Sequence, residues 1–102
     1  MFVLRDMKNR HLGYVNQDGD ILDVQKRKVG SVESGNVSDI KGSGVGRVTE
    51  DGTIYNGRGK VVGSVDMEGG IYDLKKRRIG SVDDPRLGAF YVGAAALLLM
   101  FG

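Results

Sequence analysis

One short word returns five times along the chain. A glycine followed two residues later by valine occurs as Gly13-Tyr-Val15, Gly30-Ser-Val32, Gly46-Arg-Val48, Gly63-Ser-Val65 and Gly80-Ser-Val82, at spacings of 17, 16, 17 and 17. Other columns keep the same step. An apolar residue precedes each glycine (Leu12, Val29, Val45, Val62, Ile79), and a second apolar column runs Leu4, Ile21, Val37, Ile54, Ile71. Two residues after each of these comes Asp6, Asp23, Asp39, Asn56 or Asp73, and a further glycine column is Gly19, Gly35, Gly52, Gly69. Internal repetition at fixed period is the mark of a stacked or radial architecture, because one unit cannot bury its apolar face alone.

Each unit holds two short runs rich in Val, Ile and Tyr divided by turn residues, which reads as strand. Asn16-Gln-Asp-Gly19, Thr49-Glu-Asp-Gly52 and Asp66-Met-Glu-Gly69 each end on a glycine able to take the positive φ of a type I turn with a G1 bulge. Four hairpins are therefore expected, over Leu12–Val24, Val29–Ile40, Val45–Asn56 and Val62–Leu74, although G-x-V counting gives five units. Phe2–Asp6 and Ile79–Val82 are left over, with pairing to close the ring as one role open to them. The Asp/Asn column is expected to form Asx-turns where strands exit. Glycine in mid-strand marks close approach, so five equivalent ones predict a narrow centre. The expected fold is mainly β, a radial, flower-like array of four β-hairpins from ~17-residue repeats plus one apolar C-terminal α-helix. The hairpin part spans 1–86 and the helix 87–102.

That helix would be Leu87 to Gly102, a stretch without charge. Asp83-Asp84-Pro85 suits a helix start. At ~1.5 Å per residue it would run about 24 Å, short of the ~20 apolar residues that cross a bilayer. Two placements compete: an internal pin through the ring of hairpins, its small residues against the glycines, or a C-terminal membrane anchor. A partner-binding helix or a swapped oligomer contact is a third.

Charge is sorted by turn. Lys8, Arg10, Lys26, Arg27, Lys28, Lys41, Arg58, Lys60, Lys75, Lys76, Arg77 and Arg78, 12 of the 15 cations, fall between a strand's Asp or Asn and the next G-x-V. Acids gather at the alternate turns: Asp18, Asp20, Glu33, Glu50, Asp51, Asp66, Glu68, Asp83 and Asp84. Hairpins set side by side would then have one positive and one negative rim. Lys26, Arg27, Lys28, Arg58, Lys60, Lys75, Lys76, Arg77 and Arg78 are the candidate anion-facing residues. Solubility and protection of strand edges are the plainer account of such charge; a rim that meets lipid or nucleic-acid phosphate is the functional one.

Chemistry is sparse. With no cysteine and only His11, taken as a turn residue, there is no thiol chemistry and no pair of imidazoles. Ser31, Ser64 and Ser81 lie inside strands without a partner base. Gly42 to Val48 looks like a phosphate loop but opens onto a strand without the Lys-Ser/Thr such loops need; it reads instead as a shortened third connection. No catalytic, cofactor or metal site is assigned, and the chain is expected not to be an enzyme. A net charge of +2 is too mild to argue for a polyanion by itself, and Tyr55 and Tyr72 alone make a thin base-stacking column, which disfavours nucleic acid.

With these columns laid out, the chain resembles the bacterial 4-fold β-flower family. The resemblance rests on D/E-x-G hairpins of the type GSVDMEGGIYD, the linking IGSV strands and the apolar C-terminal helix. It implies a flower of hairpins and no activity that transfers residue by residue. The function expected is a non-catalytic binding or structural module, for an unknown protein or an anionic membrane surface. The alternative is an envelope module gripping wall polymer through aromatics, weakened by the absence of Trp. No apolar core of signal-peptide length opens the chain, so a cytoplasmic or membrane-associated location is expected. Oligomeric state is left open.

Overall fold

The computed structural model describes residues 2–82 and 88–99. Ten strands, β1 (Phe2–Asp6), β2 (His11–Val15), β3 (Asp20–Asp23), β4 (Lys28–Glu33), β5 (Asn36–Asp39), β6 (Gly44–Val48), β7 (Thr53–Asn56), β8 (Val61–Val65), β9 (Gly70–Tyr72) and β10 (Arg78–Val82), precede one helix, α1 (Ala89–Leu99). Every strand pairs antiparallel with its chain neighbours, and β1 pairs β10 through Leu4↔Val82, Arg5↔Ser81 and Asp6↔Gly80. The sheet is a closed barrel without an edge.

The four hairpins joined by the glycine turns are present as β2–β3, β4–β5, β6–β7 and β8–β9. The count of four nevertheless needs correction, because the two leftover strands make a fifth pair and the ring is built of five units. Bore width supplies the reason. Eight strands leave room only for their own side chains, whereas a helix with side chains is about 10–12 Å across. Ten strands lined at one level by glycine admit it.

Alternation along the strands stacks the interior in rings. Leu4, Ile21, Val37, Ile54 and Ile71 form one buried ring; Val15, Val32, Val48, Val65 and Val82 form the next. The G-x-V glycines make a third, with Gly13, Gly30, Gly63 and Gly80 buried. Along this ring the register slips once in each unit, leaving Leu12, Val29, Val45, Val62 and Ile79 as the extra residues. These bulges sharpen the strand twist, and their side chains pack half-buried against the core.

The helix occupies the bore. Val92, Ala94, Ala95, Ala96 and Leu97 are all buried. A Cβ added to Gly46 would come within 2.5 Å of a Leu97 methyl, one on Gly30 within 2.6 Å of Leu98, and one on Gly13 within 2.5 Å of Leu99. Successive leucines, turned ~100° from one another by the helix, thus face successive units. Those same glycines lie against neighbouring-strand carbonyls of Tyr55, Ser38 and Leu22, so no side chain fits there. The expected internal pin is seen for Ala89–Leu99, but the leucines and not the small residues meet the glycines, because a strand without a Cβ leaves room for a long side chain there. Gly93 lies instead against Val48. Among the described residues no helix is long and apolar enough to cross a membrane. The expected start at Pro85 and the final residues 100–102 lie outside the described residues.

The turn glycines couple the units. Gly19, Gly35, Gly52 and Gly69 have φ of 85–91°, and their carbonyls accept hydrogen bonds from Val32, Val48, Val65 and Val82 of the next unit at 2.7–2.9 Å. The 16-residue spacing also finds its origin here. The second hairpin turns through Ser34 (φ 52°) and Gly35 alone, with Glu33 opposite Asn36, the two-residue type I′ turn. The missing residue is therefore in that turn and not, as expected, in the Gly42–Val48 connection.

Candidate functional site: the basic rim

In an up-and-down barrel alternate connections share an end. The connections 7–10, 24–27, 40–43, 57–60 and 73–77 lie together at one end, and 16–19, 34–35, 49–52 and 66–69 at the other. The first set carries the basic residues and the second the acids, so the two charged rims expected from the sequence are opposite ends of the barrel.

All five basic turns use one device. The Oδ1 of Asp6 accepts from the backbone N–H groups of Lys8 (2.9 Å) and Arg10 (3.0 Å). Asp23, Asp39, Asn56 and Asp73 accept the corresponding pairs at 2.9–3.1 Å. The expected Asx-turns are present in every unit. In three of them the arginine four residues on closes the turn from outside, with Nε donating to Oδ2: Arg10–Asp6 at 2.8 Å, Arg27–Asp23 at 3.1 Å and Arg77–Asp73 at 3.0 Å. The arginine's own backbone N–H, then its side chain, hold these three carboxyls below their ordinary pKa. The third residue after the cap is left-handed each time: Asn9 (φ 64°), Lys26 (66°), Gly42 (85°), Gly59 (77°) and Lys76 (63°).

Eight of the nine candidate cations separate into three groups. Arg27 and Arg77 are turn clasps with exposed outer faces. Lys28, at the start of β4, reaches an acid, with Nζ 3.1 Å from Asp20, and the charge of Arg78, at the start of β10, helps to lower the pKa of Asp66. Arg58, Lys60, Lys75 and Lys76 point out from the turns with no ion-pair partner among the described residues, as do Lys8 and Lys41. Lys26 lies 5.7 Å from the Tyr14 ring centre. With Lys28 and Arg78 set apart, ten cations against four capping aspartates leave this end with a surplus of six positive charges. His11, expected in a turn, instead opens β2 and is exposed.

The sequence reading missed a column on this rim. The residue directly after each cap is Met7, Val24, Ile40, Gly57 or Leu74. The expected hairpins run to Val24, Ile40 and Leu74, but the strands stop before them. Met7, Val24, Ile40 and Leu74 are 62%, 51%, 59% and 65% exposed. The Asx-turn takes the chain out of the sheet at the cap, so alternation no longer sends the next side chain inward. Their recurrence at the repeat period was the available signal.

The opposite rim receives the helix. Gly88 and Val92 line a cleft of about 540 Å³ with Glu50, Asp51, Val65 and Asp66. Helix α1 has no acidic residue in its first turn and no basic one in its last, yet it starts at the acidic rim and ends toward the basic one. The barrel thus supplies the charges that complement the helix macrodipole. Asp66 accepts from Tyr72 Oη at 2.7 Å and from Glu68 and Gly70 N–H. Burial pushes its pKa up, but these donors outweigh burial and it lies below normal; the same bond raises that of Tyr72. Arg47 covers the Tyr55 ring at 4.2 Å, so both rings of the wall-polymer alternative are engaged within the chain. Among the described residues no cluster of three His, Cys, Asp or Glu could hold a metal.

The model of the 5-fold β-flower family matches residues 2–90. No curated protein and no solved structure matches the chain. Fivefold, not the fourfold type suggested by hairpin counting, agrees with the five pairs of strands. The chain belongs to the 5-fold β-flower family.

Proposed function

We propose that this is a non-catalytic binding module whose working face is the basic rim and whose ligand is a phosphate-bearing surface. The observation that carries it is the fivefold repetition of one capped turn, each projecting cations from the same end of the barrel. The shifted carboxyls of Asp6, Asp23 and Asp73 are accounted for by turn capping, which leaves them a structural role. Six Lys and Arg with neither an ion-pair partner nor a ring contact among the described residues, spaced around a disc 30 × 29 × 21 Å, suit many shallow contacts better than one deep site. Such binding weakens steeply with salt.

The test is retention on phosphocellulose across a NaCl gradient. Lys8, Lys41, Arg58, Lys60 and Lys75 changed together to Gln should elute at clearly lower salt, while Glu50→Gln/Glu68→Gln on the opposite rim should not elute earlier. Equal elution of the five-Gln variant and the parent would refute the assignment.

A further inference from the structure

We propose that the phosphate-bearing surface is an anionic bilayer, entered by Met7, Val24, Ile40 and Leu74. This rests on the basic rim being the working face and adds what that face meets. Charge alone would be satisfied by any polyanion. A soluble polyanion, however, offers nothing to four apolar side chains that are each more than half exposed.

The placement of these side chains is specific. Each follows the capping Asp of its turn, so the fivefold frame sets them at equivalent positions around one end of the disc. Each is followed directly or one residue later by a cation: Lys8, Lys26, Lys41 and Lys75. Apolar tips among Lys and Arg match the layering of a bilayer surface, with acyl chains beneath phosphate. The turn lacking an apolar tip, at Gly57, keeps both Arg58 and Lys60 and has an uncharged cap, Asn56. It contributes by charge. None of the four belongs to the buried cluster or to the half-buried residues packed against it. Two basic rims repel one another, which opposes a second copy covering the tips rim to rim.

The test uses the full chain and three matrices: phosphatidylcholine vesicles containing 30% phosphatidylserine, pure phosphatidylcholine vesicles, and phosphocellulose. The variant is Met7→Ser/Val24→Ser/Ile40→Ser/Leu74→Ser, at exposed positions, its fold checked by circular dichroism and melting. The parent should sediment with the anionic vesicles and far less with the neutral ones. Four serines should lower vesicle affinity by about tenfold or more and leave phosphocellulose elution unchanged. A tryptophan at Leu74→Trp should shift its emission to the blue on anionic vesicles. Equal vesicle binding by parent and serine variant, or an unmoved tryptophan spectrum, would overturn the insertion. Retention on phosphocellulose without vesicle binding would assign the rim to a soluble polyanion and overturn the bilayer. Absence of binding to all three would overturn the basic-rim reading itself. Sedimentation without vesicles that the serines abolish would assign the tips to self-association, and also overturn it.

Discussion

Gly93 gives a test in which the sign of the effect reports where the helix lies. Glycine in the interior of an exposed helix costs about 1 kcal/mol relative to alanine, so Gly93→Ala on a free helix stabilises. Inside the barrel a Cβ at Gly93 would lie 2.6 and 2.7 Å from the two γ-methyls of Val48, about 1 Å inside normal contact. Overpacking of that kind costs about 1–3 kcal/mol. Set against the helix gain, Gly93→Ala should destabilise by about 1 kcal/mol, or about 4–8 °C in melting temperature. Val48→Ala alone, at a buried site, should cost about 2 kcal/mol through lost transfer energy and a cavity. Together the two changes fit: the new methyl enters the vacated space and the helix gain is recovered. The double variant should therefore be roughly 2 kcal/mol more stable than the sum of the singles. Urea unfolding followed by circular dichroism measures all four corners of the cycle. A Gly93→Ala protein more stable than its parent, with additive behaviour alongside Val48→Ala, would refute the helix-in-bore packing.

Two further outcomes follow from the turns. Lys26 and Lys76 hold left-handed φ at the position where Gly42 and Gly59 stand in equivalent units, so Lys76→Gly should be about 1 kcal/mol more stable than Lys76→Ala, with the same charge removed in both and melting temperature as the readout. Asp6, Asp23 and Asp73 have folded pKa values below the ordinary 3.8; their contribution is complete above that value and is lost as pH falls through the lowered folded pKa. The triple Asp→Asn variant keeps the Oδ1 acceptor, as Asn56 does, and should be less stable than the parent at pH 7, with the two curves converging toward pH 2; a constant gap across that range would contradict it.

Much of this architecture was legible because repetition averages over local ambiguity. One G-x-V means little, but five at a common step fixed four of the strand pairs, the narrow centre and the Asx-turns. The unit number was misread because hairpins were counted by their tight turns, and the fifth pair has no turn at all. Nothing local in Phe2–Asp6 or Ile79–Val82 states that the two are partners; the bore needed by the helix does. The short spacing was misplaced because Gly42–Val48 is the more glycine-rich segment, whereas the deletion sits at Ser34-Gly35. The charged rims followed from turn parity alone. The apolar tips did not, since Val24, Ile40 and Leu74 look like continuations of strands until the capping carboxylates are seen to end them.

The pairing of the first strand with the last has a kinetic consequence. Nine of the ten strand contacts join segments adjacent in the chain and can form as soon as their residues are made. The tenth, Leu4 with Val82, must bring together residues almost the whole repeat array apart. Relative to a ten-residue connection that closure carries about 2 kcal/mol of additional chain entropy. The seam is thus the natural last event of folding and first event of opening, and an opened seam is the lateral door by which a helix could enter or leave a barrel that otherwise has none.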